Sequence, residues 1–302
     1  MKRTLISLLS ASMLLTTFSG CSDDDDVVNP QNNITDIVAS SPDFSILKSA
    51  LDKAGLTATV NSSNNITVFA PDNTAFSNSG ITQAAIDAMD QDELAAILTY
   101  HVIAAKVASS AVPASDTVKT LQGLNLYASN NANGVFVNGI KVKQADVQAS
   151  NGTVHVIDKV LLPPSQTIAQ IASGADFTLL LAAVVKAGLA TAVSGPGKFT
   201  VFAPTNTAFN NAGFNSVADI NSADQATIEA VVKYHVLATN AFASDLSNGG
   251  TATSLQGGTL TLNATPPTVK ITGSNENASA ITTADVVATN GVVHVIDKVL
   301  LP

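Results

Sequence analysis

Four histidines are the residues best suited to chemistry in this chain: His101, His155, His235 and His294, each followed by valine. Imidazole titrates near neutral pH and is the commonest zinc ligand, so these positions raise metal binding or proton transfer first. Their spacing argues against both. His101 lies seven residues after Leu94 and four after Ile97, which places it on the apolar face of a helix. A neutral imidazole in that position is expected to be buried, with its nitrogens hydrogen-bonded to backbone or a neighbouring side chain. His155 and Asp158 stand three apart in an extended segment, so they point to opposite faces and do not chelate together. The chain has no Gly-x-Ser-x-Gly elbow, His-Glu-x-x-His pair, phosphate loop or calcium loop. The acidic run Asp90-Gln91-Asp92-Glu93 has a weaker counterpart at Asn221–Asp224 and reads as a helix start. The expectation is a protein that is not an enzyme, with no cofactor, no catalytic residue and no metal site.

The elements that position these histidines occur twice. Phe44–Leu56 returns as Phe177–Leu189, and Thr67-Val-Phe-Ala-Pro-Asp-Asn-Thr-Ala-Phe76 returns as Thr200-Val-Phe-Ala-Pro-Thr-Asn-Thr-Ala-Phe209. Tyr100-His101-Val102 returns as Tyr234-His235-Val236, and Asn151–Pro163 as Asn290–Pro302. The period is far too long for a solenoid and defines two tandem domains. In each copy, helical spacing comes first (Phe44, Leu47, Leu51 and Ala54, with Gly55 at the cap position), and strands crowd the end. Val135–Val142 reads as strand, Asn-Gly turn, strand. The second copy replaces that turn with a longer loop around Gly273–Asn277. This order predicts an α+β fold, with the domains closely coupled through Pro163-Pro164.

Composition narrows the partners. The 302 residues carry a formal net charge of −9, no tryptophan and only 5% aromatics. The one arginine, Arg3, lies in a segment expected to be removed. Without arginine or stacking rings, nucleic acid is not an expected partner. Lys2-Arg3 followed by the apolar stretch Leu5–Leu15 reads as a secretory signal over 1–20. Phe18-Ser19-Gly20-Cys21 resembles a bacterial lipobox, which implies cleavage before Cys21 and lipid attachment to it. The acidic run Asp23–Asp26 reads as a solvated tether over 21–33 and resembles the surface-export signal of some Gram-negative outer-membrane lipoproteins. Outer-membrane, cell-surface display is the expectation, with periplasmic retention as the alternative. Membrane contact is expected through the lipid anchor only.

The repeated motifs, from Thr-Val-Phe-Ala-Pro-x-Asn-Thr-Ala-Phe through Tyr-His to Asn-Gly-x-Val-His-Val-Ile-Asp-Lys-Val-Leu-Leu-Pro, resemble the fasciclin-like domain in both copies. The resemblance implies two tandem domains, 34–163 and 164–302. Each is a β-sandwich or wedge of about seven strands with helices along one edge. It also implies a non-enzymatic adhesion or binding role toward an extracellular protein, matrix or glycan ligand. A glycan-capture accessory lipoprotein of an outer-membrane uptake system is the alternative. In animal members the Tyr-His motif is proposed to contact a receptor, which by resemblance marks Tyr100, His101, Tyr234 and His235 as candidate ligand contacts. Of these, the tyrosines are expected to reach the surface more easily than the core-facing histidines.

Overall fold

The computed structural model describes residues 32–272 and 278–301. The signal segment 1–20, Cys21 and nearly all of the tether lie outside the described residues, as does the longer turn at Gly273–Asn277.

Several helices of each copy, the first among them, start at polar caps. Asn33 and Asp36 form a capping box on α1 (Ile34–Ser40). α2 (Ser45–Ala54) turns Leu47, Ala50, Leu51 and Ala54 inward and stops at Gly55, whose φ of 68° is the left-handed cap expected there. α3 (Thr57–Ser62) leads into β1 (Ile66–Pro71), which Pro71 closes. Asp72 then caps α4 (Asn73–Asn78). α5 (Gln83–Ala88) is followed by α6 (Gln91–Tyr100), capped by Asp90, and the short β2 (Val102–Ile103). The strand-rich end holds β3 (Asp116–Lys119), β4 (Asn125–Asn131), β5 (Gly134–Val137), β6 (Ile140–Ala149) and β7 (Gly152–Ile157). Asn138 and Gly139, with φ of 48° and 76°, make the two-residue turn between β5 and β6 that the Asn-Gly pair predicts.

The second copy repeats this plan. Its helices are α7 (Ile168–Ile171), α8 (Thr178–Lys186), α9 (Ala190–Ser194), α10 (Asn206–Asn211), α11 (Val217–Ser222) and α12 (Gln225–Tyr234). Its strands are β8 (Phe199–Pro204), β9 (Val236–Leu237), β10 (Gly250–Thr253), β11 (Thr259–Ala264), β12 (Pro267–Ile271), β13 (Ser279–Ala288) and β14 (Gly291–Ile296).

The first sheet runs β2-β1-β7-β6-β5-β4-β3 and the second β9-β8-β14-β13-β12-β11-β10. The pairs β1–β7 and β8–β14 are parallel and the others antiparallel. β6 slips register between Val142 and Val147, where Asp146 adopts φ 60°; β13 does the same at Asp285. These bulges bend one continuous sheet into a wedge rather than two separate sheets. The wedge nearly closes: the Leu121 amide donates to the Val102 carbonyl at 2.8 Å, and Leu255 to Val236 at 2.8 Å. One core lies between the helices and the sheet, around Leu47, Leu94, Leu98 and Val154. A second fills the bend, around Phe69, Tyr100, Leu126 and Ile157. β1 and β7 serve both cores, and all their residues are buried. Among the described residues no helix is long and apolar enough to cross a membrane.

Candidate functional site

The parallel pairing of β1 with β7 joins motifs far apart in sequence. Phe69 lies opposite His155 in register, their rings stacked at 5.5 Å; Phe202 and His294 repeat this at 5.6 Å. The His155 ring spans two backbone groups. Its Nδ1 accepts from the Asp146 amide at 3.1 Å, so Nε2 carries the proton and donates to the Val107 carbonyl at 2.9 Å. His294 does the same between the Asp285 amide, at 3.3 Å, and the Ala241 carbonyl, at 2.7 Å.

His101, at the end of α6, holds the opposite tautomer. Its Nε2 accepts from the Leu161 amide at 2.9 Å, so Nδ1–H donates to the Ile97 carbonyl at 2.8 Å. His235 matches it with the Leu300 amide at 2.9 Å and the Val231 carbonyl at 2.8 Å. Burial pushes the pKa of both down to about 4, although each helix carbonyl favours the charged form. Each imidazole is thus a neutral bridge between the helix end and the segment after the last strand. With both nitrogens engaged by backbone, none of the four rings offers a free lone pair to a metal or a substrate proton.

Tyr100 is fully buried, which corrects the expectation that it reaches the surface. The end of α6 drives its ring into the bend of the sheet, where its Oη donates to the Asn125 carbonyl at 2.9 Å and accepts from Asn138 Nδ2 at 2.9 Å. Burial raises its pKa to about 12, against the Asn138 hydrogen bond. Tyr234 lies against Gly258, where a Cβ would sit 2.3 Å from its ring, and remains partly exposed.

The other repeated polar residues also bind backbone. Asn73 takes the Ile46 amide and gives to the Pro42 carbonyl, seating α2; Asn206 does this for Leu179 and Ala175. Thr67 Oγ1 clips the loop after β2 by donating to the Ala105 carbonyl and accepting from the Val107 amide. Asn151 accepts from the Ile34 amide and donates to Val60, fastening the start of the domain to its end; Asn290 repeats this with Ile168 and Val193. Glycine must follow, because a Cβ on Gly152 would sit 2.1 Å from the Ile66 carbonyl, and one on Gly291 2.1 Å from that of Phe199.

A different set of residues joins the two domains, and sequence reasoning did not single it out. Tyr127 on β4 packs against Phe242 with ring centroids 5.7 Å apart, beside Val292. Ser129 Oγ donates to Asp245 at 2.7 Å, and Asn131 Nδ2 to the Ser244 carbonyl at 2.9 Å. The Asn138-Gly139 turn lies against Asp285 so closely that a Cβ on Gly139 would sit 2.7 Å from its carboxylate oxygen. Burial raises the Asp285 pKa, against the Ala243 amide and His294. Beside this joint is an open cleft of about 830 Å³, with Ile140 and Val286 on its walls and Lys141 and Lys159 among its polar groups. The available signal was the difference between copies: Tyr127, Ser129 and Phe242 stand where the other copy has Thr261, Asn263 and Ala108.

Two bent-sheet α+β domains in tandem, with their shared polar residues turned onto backbone, define a paired structural scaffold. The family model for the Fasciclin domain matches residues 42–163 and 175–302, and the chain belongs to that family. It is 31% identical over 242 residues to transforming growth factor-beta-induced protein ig-h3 of Sus scrofa, covering 78% of this chain and 34% of that protein's length. It is 36% identical over 143 residues to the cell surface glycolipoprotein MPB83 of Mycobacterium bovis, covering 45% of this chain and 63% of that one. It also resembles the FAS1 domain pair from the insect cell adhesion molecule Fasciclin I, with a TM-score of 0.43 and 21% identity over 85% of this chain and 97% of that chain.

Proposed function

We propose that this chain is a non-enzymatic binding protein of the cell surface, anchored by lipid at Cys21 and acting in adhesion. The observation that carries this reading is the commitment of all four histidines to backbone hydrogen bonds, two per ring. The motif residues build the domain, and recognition falls to its loops and to the cleft between the domains. Of the Tyr-His candidates, Tyr234 is the one that remains partly exposed. The surface reading draws on the relative described as a cell surface glycolipoprotein. The tether enters at Asn32, whose carbonyl accepts from the Ser150 amide at one end of β6. The interdomain joint lies at the other end of β6.

The test is to display the full chain on cells and measure capture of matrix proteins and of arrayed glycans, with Cys21→Ser as the unanchored control. Capture that disappears with the anchor, and no turnover in a hydrolase screen, is the expected outcome. Capture of saccharides alone would favour the uptake role. Turnover of any substrate would overturn the non-enzymatic reading.

A further inference from the structure

The joint between the domains is heterologous: a strand face of the first domain meets a loop face of the second. Each domain has both faces, so one strand face and one loop face remain at the outer ends of the pair. Contacts of this kind propagate into rings or open chains unless the ends are altered. We infer that the joint is order-specific and used once, and that both outer faces are blunted against end-to-end addition of further copies of this chain.

The loop face shows this most clearly. In the second domain Phe242, Asp245 and Asp285 receive the neighbour together with the Ser244 carbonyl, and Ala243 follows Phe242 in the same loop. The corresponding residues of the first domain are Ala108, Ser109, Ala111 and Asp146. The two loops are otherwise superposable in their bonding, since the Ser109 amide donates to Asp146 as the Ala243 amide donates to Asp285. Ser109 adds a hydroxyl that donates to the second oxygen of Asp146. Ala243 has none, and Asp285 turns that oxygen toward Gly139. The first domain thus fills its own carboxylate and lacks both the ring of Phe242 and the acceptor of Asp245.

The outer strand face is closed in a similar way. Thr261 replaces Tyr127, and its hydroxyl pairs with that of Thr272 at 2.7 Å. Asn263 replaces Ser129; it accepts from the Gly249 amide and donates to Thr268. Both are engaged within their own domain, where Tyr127 and Ser129 instead face the neighbour.

Cysteine trapping in the full chain carrying Cys21→Ser tests this. Ser129→Cys with Asp245→Cys should oxidise to an intrachain disulfide, reporting the joint. Ala111→Cys with Asn263→Cys, the matching pair on the outer faces, should give no intermolecular ladder under the same conditions. Adding A108F, S109A and T261Y to that second pair should bring out dimers and higher steps. A ladder from the unrestored pair would overturn the inference. So would a restored chain that stays monomeric, or a first pair that fails to close.

Discussion

Asp146 and Asp285 occupy the same bulge in the two domains, with the same left-handed backbone and the same amide donor opposite. Their carboxyls nevertheless shift in opposite directions. The Ser109 hydroxyl, followed by the Ser109 amide, lowers Asp146, while burial against the other domain raises Asp285. The contrast separates two kinds of information in the chain. Residues kept in both copies hold each wedge together, and residues that differ decide what each wedge meets. The histidines belong to the first kind and Phe242 to the second.

The largest expected effect falls on the shared residues and should be equal in the two domains. His101→Ala and His235→Ala each leave two buried backbone groups without a partner, and each loss is expected to cost about 3 kcal/mol or more. Domain-resolved melting should show matching losses; a large inequality would break the equivalence. Acid should act similarly. With folded pKa values near 4, the unfolded chain takes up these protons first as pH falls. Stability held at neutral pH is then lost between about 6.5 and about 4, on the order of 3 kcal/mol per histidine. The raised pKa of Asp285 gives the opposite sign: its contribution becomes more favourable as pH falls through that value. Denaturant titration from pH 7 to pH 4 checks both slopes.

The next effect is one-sided. Phe242→Ala removes the aromatic core of the joint and should cost about 2–4 kcal/mol of coupling. Ala108→Phe in the other copy should leave stability within about 0.5 kcal/mol of wild type. Small-angle scattering should report an altered domain arrangement for the first variant only. Gly139→Ala sharpens the same point. It places a side chain at φ 76° and against Asp285, with an expected loss of about 1–2 kcal/mol.

Helix faces provide the smallest contrast. Lys48 and Asp52 form an exposed ion pair on α2, where α8 has Leu181 and the exposed Val185. Breaking the pair with Lys48→Ala should change stability by less than about 1 kcal/mol. Chemical denaturation of the variant beside the wild type measures this.

Much of the scaffold was legible in the sequence because its signals are local. Gly55 capped the predicted helix, Asn138-Gly139 made the predicted turn, and the apolar face at Leu94, Ile97 and Leu98 placed His101 inside. The pairing of β1 with β7 was not legible, because no local pattern states which strands meet across more than eighty intervening residues. The burial of Tyr100 depends on Asn125 and Asn138, supplied from the distant hairpin strands. The joint was hidden for a related reason: Phe242 and Tyr127 are ordinary core residues until the other domain is placed beside them.

The central claim, that the histidines bridge backbone groups and are not reactive or ligand-binding groups, is tested most directly by imidazole ¹⁵N NMR across a pH titration with and without zinc. The account predicts Nδ1–H tautomers for His101 and His235 and Nε2–H tautomers for His155 and His294. It also predicts that His101 and His235 stay neutral until pH approaches about 4, with no change in any of the four rings on adding zinc. Titration of His101 or His235 near pH 6.5, or a zinc-dependent shift at any of the four, would contradict it.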